Sequence, residues 1–167
     1  MNTPDASLSV RPVDRWFNAY SQDHQHPINQ RLHVFCVPAI VWSLMAMLYA
    51  VPTPEALAAI LPPFGVLAVL LMALSVMFWF WLSLPLGLGI AVLTLAGFWI
   101  NALILEAMGA TTLLAIGIAV FVIAWIGQFI GHHIEGRRPS FFTDLVYLMI
   151  GPPWVLAKGY RGLGLRW

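Results

Sequence analysis

Between Glu55 and Glu106 lie fifty consecutive residues without a charge. The runs 34–54 and 107–131 are equally free of charge. A soluble domain is roughly 25% charged, whereas this 167-residue chain is 9% charged and 60% hydrophobic. Such runs belong in lipid, where backbone N–H and C=O groups have no partner but each other. Helices of about 20 apolar residues satisfy them. The expected fold class is all-α: a polytopic membrane helical bundle, with 1–167 as a single integral membrane domain.

The punctuation of the runs sets the spans. "VPTPEA" (51–56) is a proline-rich turn, which puts the first span at about 34–51. The fifty-residue run is too long for one crossing. "WLSLPLGLG" (81–89) supplies a break, because Pro85 lacks an amide donor and two glycines follow. The next spans are then about 64–82 and 86–105. "EAMGAT" (106–111) turns the chain into a fourth span at about 112–131. Four crossings bring it back to its starting side, so His33 and His132 are expected at the same membrane face.

Charge orients the bundle. Arg11, Arg15 and Arg31 precede the first span, and Arg137, Arg138, Lys158, Arg161 and Arg166 follow the fourth. These are all eight basic residues, and the opposite turns hold only Glu55 and Glu106. Cationic loops stay cytoplasmic, so both termini are expected there, in the inner membrane of a bacterium or the endoplasmic reticulum of a eukaryote. The apolar stretch 145–157 is short and interrupted by Pro152 and Pro153. A crossing there would carry Lys158, Arg161 and Arg166 to the wrong side. It reads instead as a C-terminal interfacial or re-entrant helix over the histidine face.

Several classes of function drop out. The polar first 33 residues lack the basic start and apolar core of a secretory signal and are expected to be retained. Cys36 is the sole cysteine, so there is no intrachain disulfide; it reads as a small buried apolar residue. The sequence has no glycine-rich phosphate loop, nucleophile elbow or cysteine-pair motif, and nothing in it supports nucleic-acid binding.

What remains is an uneven distribution of histidine. "YSQDHQHPINQRLHVF" (20–35) holds three of the five, and "GQFIGHHIEGRRP" (127–139) holds the other two. On one straight helix His24 and His33 would lie on opposite faces, about 13 Å apart along the axis. Pro27 disfavours helix in the residue before it, which lets His24 sit on a separate segment that folds back. Asn29 lies one turn before His33; it either caps the helix or holds the imidazole's second nitrogen. Gln128, His132 and Glu135 share a helical stripe, and His133 points about 100° away. Glu135 either belongs to the site or pairs with Arg137 or Arg138. Clustered neutral imidazoles suit iron, zinc or copper. Three of them leave coordination positions open, as a catalytic metal requires. Haem is disfavoured, because the spans hold no histidine before His132.

These motifs resemble a known family. The pattern Tyr20, His24, Asn29 and His33, followed by "VFCVP", together with Gln128 to His132, Glu135, Arg137, Arg138 and Pro139, and the closing "DLVYLMIGPPWVL", is similar to that of small multispan iron(II)-dependent 2-hydroxy fatty acid dioxygenases. The likeness runs from about residue 14 to 157. It implies His24, His33 and His132 as metal ligands; His133, where other members differ, is a fourth candidate that the likeness does not carry over, and His26 falls where the family requires no histidine. It implies an Fe(II) cofactor, catalytic roles for Asn29 and Glu135, and a substrate carboxylate held by Arg137 and Arg138. The implied reaction consumes O2 and a long-chain 2-hydroxy fatty acid, whose tail stays in the membrane lipid while its head meets the metal, and yields the acid one carbon shorter. The segment between His132 and the arginine pair is one residue shorter than in fungal members. The alternative reading is a non-enzymatic membrane scaffold or lipid-binding protein whose histidines touch headgroups.

Overall fold

The computed structural model describes residues 11–136 and 141–167, with side chains from 147 onward in the second segment. Helices account for nearly all of it, and there is no strand among the described residues: α1 (Pro12–Gln22), α2 (Pro27–Tyr49), α3 (Val66–Leu82), α4 (Leu84–Glu135) and α5 (Phe141–Gly162). By length and apolar character α2 and α4 can cross a membrane, while α3 is shorter at 17 residues.

Each break has a local cause. His26 caps α2, its Nδ1 accepting the Ile28 amide at 3.2 Å, and Pro27 follows in the first turn, where its missing N–H costs nothing. Between α2 and α3 a 3₁₀ turn at Glu55–Leu57 is pinned where the Thr53 amide donates to the Pro63 carbonyl. Ser83 alone separates α3 from α4, in extended conformation, and Pro85 occupies the first turn of α4.

As one straight rod, the 52 residues of α4 would run about 78 Å, far beyond the ~30 Å hydrocarbon core. The helix is not straight. Gly109 sits at φ 80°, ψ 167° inside it, a conformation open essentially to glycine alone. The turn expected at 106–111 is therefore a single glycine and not a loop. Both limbs then lie along the same stretch of α2. Gly97, in the first limb, faces Trp42 and Met45; Gly117, in the second, faces Ser43, Ala46 and Met47.

The second limb runs antiparallel to α2. Gly117 meets Ser43–Met47, Gly127 meets Cys36, and Gly131 meets Asn29 and Leu32. Gly127 and Gly131 form the small-xxx-small spacing that lets helix backbones approach in lipid. A Cβ at Gly127 would lie 2.6 Å from the Cys36 Sγ.

The end of the bundle that carries the histidines is covered by α1 and α5. In α1, Val13, Phe17 and Tyr20 form a buried stripe at i, i+4 and i+7 that packs with Trp79, Leu86, Ile90, Ile150 and Trp154. The C-terminal helix is longer than the expected 145–157 and continues through Pro152 and Pro153. The prolines remove the helical donors to the Leu148 and Met149 carbonyls. Packing against α1, α2 and α4 holds the helix together across that gap.

Candidate metal centre

Three elements converge at the covered end. His24 lies in the short link between α1 and α2, His33 in the second turn of α2, and His132 in the last turn of α4. All three are buried, at 1%, 2% and 7% exposure. Their ring centroids stand 4.3 Å (His24–His33), 5.3 Å (His24–His132) and 5.0 Å (His33–His132) apart. One ring nitrogen from each lies within 4.8 Å of the others.

The backbone selects the tautomers. The Nδ1 of His24 is 2.7 Å from the Tyr20 carbonyl, and that of His33 is 2.9 Å from the Asn29 carbonyl. A carbonyl oxygen only accepts, so each Nδ1 carries the proton and each Nε2 keeps its lone pair. The His24 Nε2 is buried with no hydrogen-bond partner. A buried acceptor without a donor is costly, and a cation resolves that cost. Burial, with His132 adding to it, holds the His24 imidazole below its usual range, and the hydrogen bond to Tyr20 opposes this only in part. The ring is therefore neutral at pH 7, the form that ligates. It also lies flat against Tyr20, with centroids 4.1 Å apart and planes 9° from parallel. The residues fit a metal of the kind three imidazoles bind, with open positions left over.

Glu135 and Asn29 join the parts of the site. The group of mutually close ligand atoms comprises the three histidines and does not include Glu135. The Glu135 carboxylate accepts the amides of Gln25 (2.8 Å) and His26 (2.8 and 3.1 Å) and the Asn29 side-chain amide (2.9 Å). It thus ties the loop that carries His24 to the helix end that carries His132. Asn29 does hold the second nitrogen of His33, but through its backbone carbonyl. Gly131 makes room for this: a Cβ there would run into the Asn29 Oδ1.

The remaining expected residues lie apart. His133 is exposed on another face of α4, and His26 is the half-buried cap of α2. Arg137 and Arg138 lie outside the described residues.

The sequence placed α5 over the histidine face but did not show which of its side chains reach the site. Tyr147 donates to Asp23 at 2.6 Å, and the Trp154 indole donates to Ser21 Oγ at 2.9 Å. Lys158 stacks on Trp154 and donates to Gln30 at 2.7 Å, while Gln30 donates to the His24 carbonyl at 2.7 Å. Tyr147, Gly151, Trp154 and Lys158 recur at i, i+4, i+7 and i+11, a stripe that marks the inward face. The histidines border a small pocket whose lining also takes in Tyr20 of α1, Val37 and Ile40 of α2, Gln128 of α4 and Tyr147 of α5.

Comparison with curated proteins and with solved structures finds no match. A family model described as 2-hydroxy-palmitic acid dioxygenase Mpo1-like matches residues 10–162. The matched region takes in the three buried histidines, the Glu135 clamp and α5. Covering nearly the whole chain, the match makes this protein a member of the Mpo1-like family.

Proposed function

We propose that this protein is an iron(II)-dependent membrane dioxygenase. It cleaves C1–C2 of long-chain 2-hydroxy fatty acids and yields the acid one carbon shorter. The observation that carries this reading is the buried set of His24, His33 and His132, with the tautomers of His24 and His33 fixed by backbone carbonyls, in a chain of the Mpo1-like family. The net reaction needs no outside reductant. A four-electron oxidation of the 2-hydroxy acid to the shortened acid and carbon dioxide is matched by O2, one of whose oxygen atoms leaves as water.

Iron, when bound by the three imidazoles, supplies the redox chemistry toward oxygen. The rest falls to this chain's own residues. Tyr20 and Asn29 carbonyls keep Nδ1 protonated and aim Nε2 inward. Glu135 and the Asn29 side chain, which the sequence suggested as catalytic, act as positioning residues that hold the His24 loop. Arg137 and Arg138 follow directly on this clamp in sequence and suit a bidentate grip on the substrate carboxylate. The proposed ligand set leaves out His133.

In the membrane we propose four crossings: α2, α3 and the two limbs of α4, with both termini cytoplasmic and α5 at the interface. Gly109 supports this by dividing α4 into two limbs of about 25 residues, each long enough to span. The test is anaerobically purified protein loaded with iron(II), given a long-chain 2-hydroxy acid and then oxygen, with products read by mass spectrometry. Shortened acid from wild type and none from His33→Ala is the expected result. Equal turnover of the non-hydroxylated acid refutes the mechanism, and absence of both metal and product favours the scaffold.

A further inference from the structure

The free space beside the three imidazoles is about the size of a water molecule. It takes a water or a diatomic molecule and no acyl chain. On one side α5 already packs against its wall: a Cβ at Gly151 would lie 2.9 Å from a Val37 methyl carbon. Much of the lining is apolar. Val37 and Ile40 come from α2, Trp125 from the second limb of α4, and Leu148 from α5.

One polar group interrupts this wall. Val37 follows His33 by one turn, and Gln128 precedes His132 by one turn, so both stand at the first level beyond the histidines. There α2 offers only methyl groups, whereas α4 offers a carboxamide. Gln128 is 6% exposed. From Leu113 to Gly131 it is the sole residue with a polar side chain apart from Trp125. Polar side chains inside a span are expensive and occur where function needs them. Other donors at the site are committed or farther off. His24 and His33 direct their Nδ1 protons to backbone carbonyls, and Tyr147 donates its hydroxyl proton to Asp23. Trp125 lies a further turn away from His132.

We propose that Gln128 receives the small ligand at the metal: its side-chain amide donates a hydrogen bond to a diatomic molecule the size of O2 in the space between the imidazoles and Val37. Apolar walls suit dissolved O2, and one amide donor favours a bound form that carries partial negative charge. This rests on the metal reading of the three histidines, and its test is spectroscopic, apart from turnover.

The probe is nitric oxide, added anaerobically to iron(II)-loaded protein and read by electron paramagnetic resonance and by the N–O stretching frequency. Gln128→Met keeps the length of the side chain and removes the donor. It should weaken nitric oxide binding about three- to tenfold, the effect of one net hydrogen bond. It should also raise the N–O frequency while iron content stays at the wild-type level. Unchanged affinity and frequency in iron-replete Gln128→Met overturn the proposal and leave the metal reading standing. A shift in Tyr20→Phe with none in Gln128→Met places the donor on Tyr20 and likewise overturns it. Wild-type protein that holds no iron overturns both readings together. Should Gln128→Met fail to fold, the wild type decides: its N–O stretch should move on exchange into D2O, and a stretch that D2O leaves in place overturns the proposal.

Discussion

The Glu135 carboxylate accepts the Asn29 side-chain amide at 2.9 Å across 106 positions of sequence. Through this pair the end of α4 grips the start of α2. The same carboxylate also takes the Gln25 and His26 amides, so one side chain fixes the loop on which His24 sits. Glu135→Ala should weaken iron binding by about 10–100-fold, the usual effect of removing groups that orient metal ligands. Competitive chelator titration measures this. Amide exchange at Gln25 and His26 should quicken in the same variant; unchanged affinity and exchange would show that the clamp does not govern the site.

The three buried histidines should differ from the other two. Alanine at His24, His33 or His132 should cut bound iron to a small fraction of wild type while helicity is kept. His26→Ala and His133→Ala should keep near-stoichiometric metal. Elemental analysis with circular dichroism reads both quantities. Full metal in all three buried-site variants would sink the assignment.

Acid should destabilise the metal-free protein. An unfolded His24 takes up a proton near pH 6.5, while the buried ring resists protonation. Below that pH the unfolded state binds more protons, so stability falls as pH falls. Thermal melts of the metal-free protein in detergent should show Tm dropping below pH 6.5, with a flatter profile in His24→Gln. An equally steep profile in that variant assigns the loss to other groups.

The glycine contacts predict a compensating pair. Gly127→Ala puts a methyl 2.6 Å from the Cys36 Sγ, and overpacking of this kind costs about 1–3 kcal/mol. Cys36→Ala removes the opposing sulfur and should recover much of the loss. Independent, additive effects in a double-mutant cycle would contradict the contact.

Membrane placement can be checked by labelling in a Cys36→Ala background. Cysteines introduced at Asn18 and Gly164 should react from the same side, and one at Met108, beside the Gly109 break, from the other. Reaction of Asn18 and Gly164 from opposite faces excludes four crossings.

Much of this was settled locally. Charge-free runs leave the backbone no partner but its own helix, so α2, α3 and α4 follow from residues 34–131 alone. Pro85 and Gly109 mark breaks because one lacks a donor and the other reaches φ values that side chains forbid. Pro27 separates His24 from the helix of His33, as its effect on the preceding residue requires. The motif likeness singled out His24, His33 and His132 among the five histidines, but the physical reason for that choice lies in the packing. His132 and His133 are neighbours in sequence, and only the packing of α4 against α2 turns one inward and leaves the other exposed. Asn29 offered two readings, and it took the folded helix to show its carbonyl on His33 and its amide on Glu135. Nothing local announced that α5 would continue through Pro152 and Pro153, or that Trp154 and Lys158 would brace the His24 loop. Those bonds join residues more than 100 positions apart, and periodicity within a helix carries no information about which distant groups will complete its hydrogen bonds.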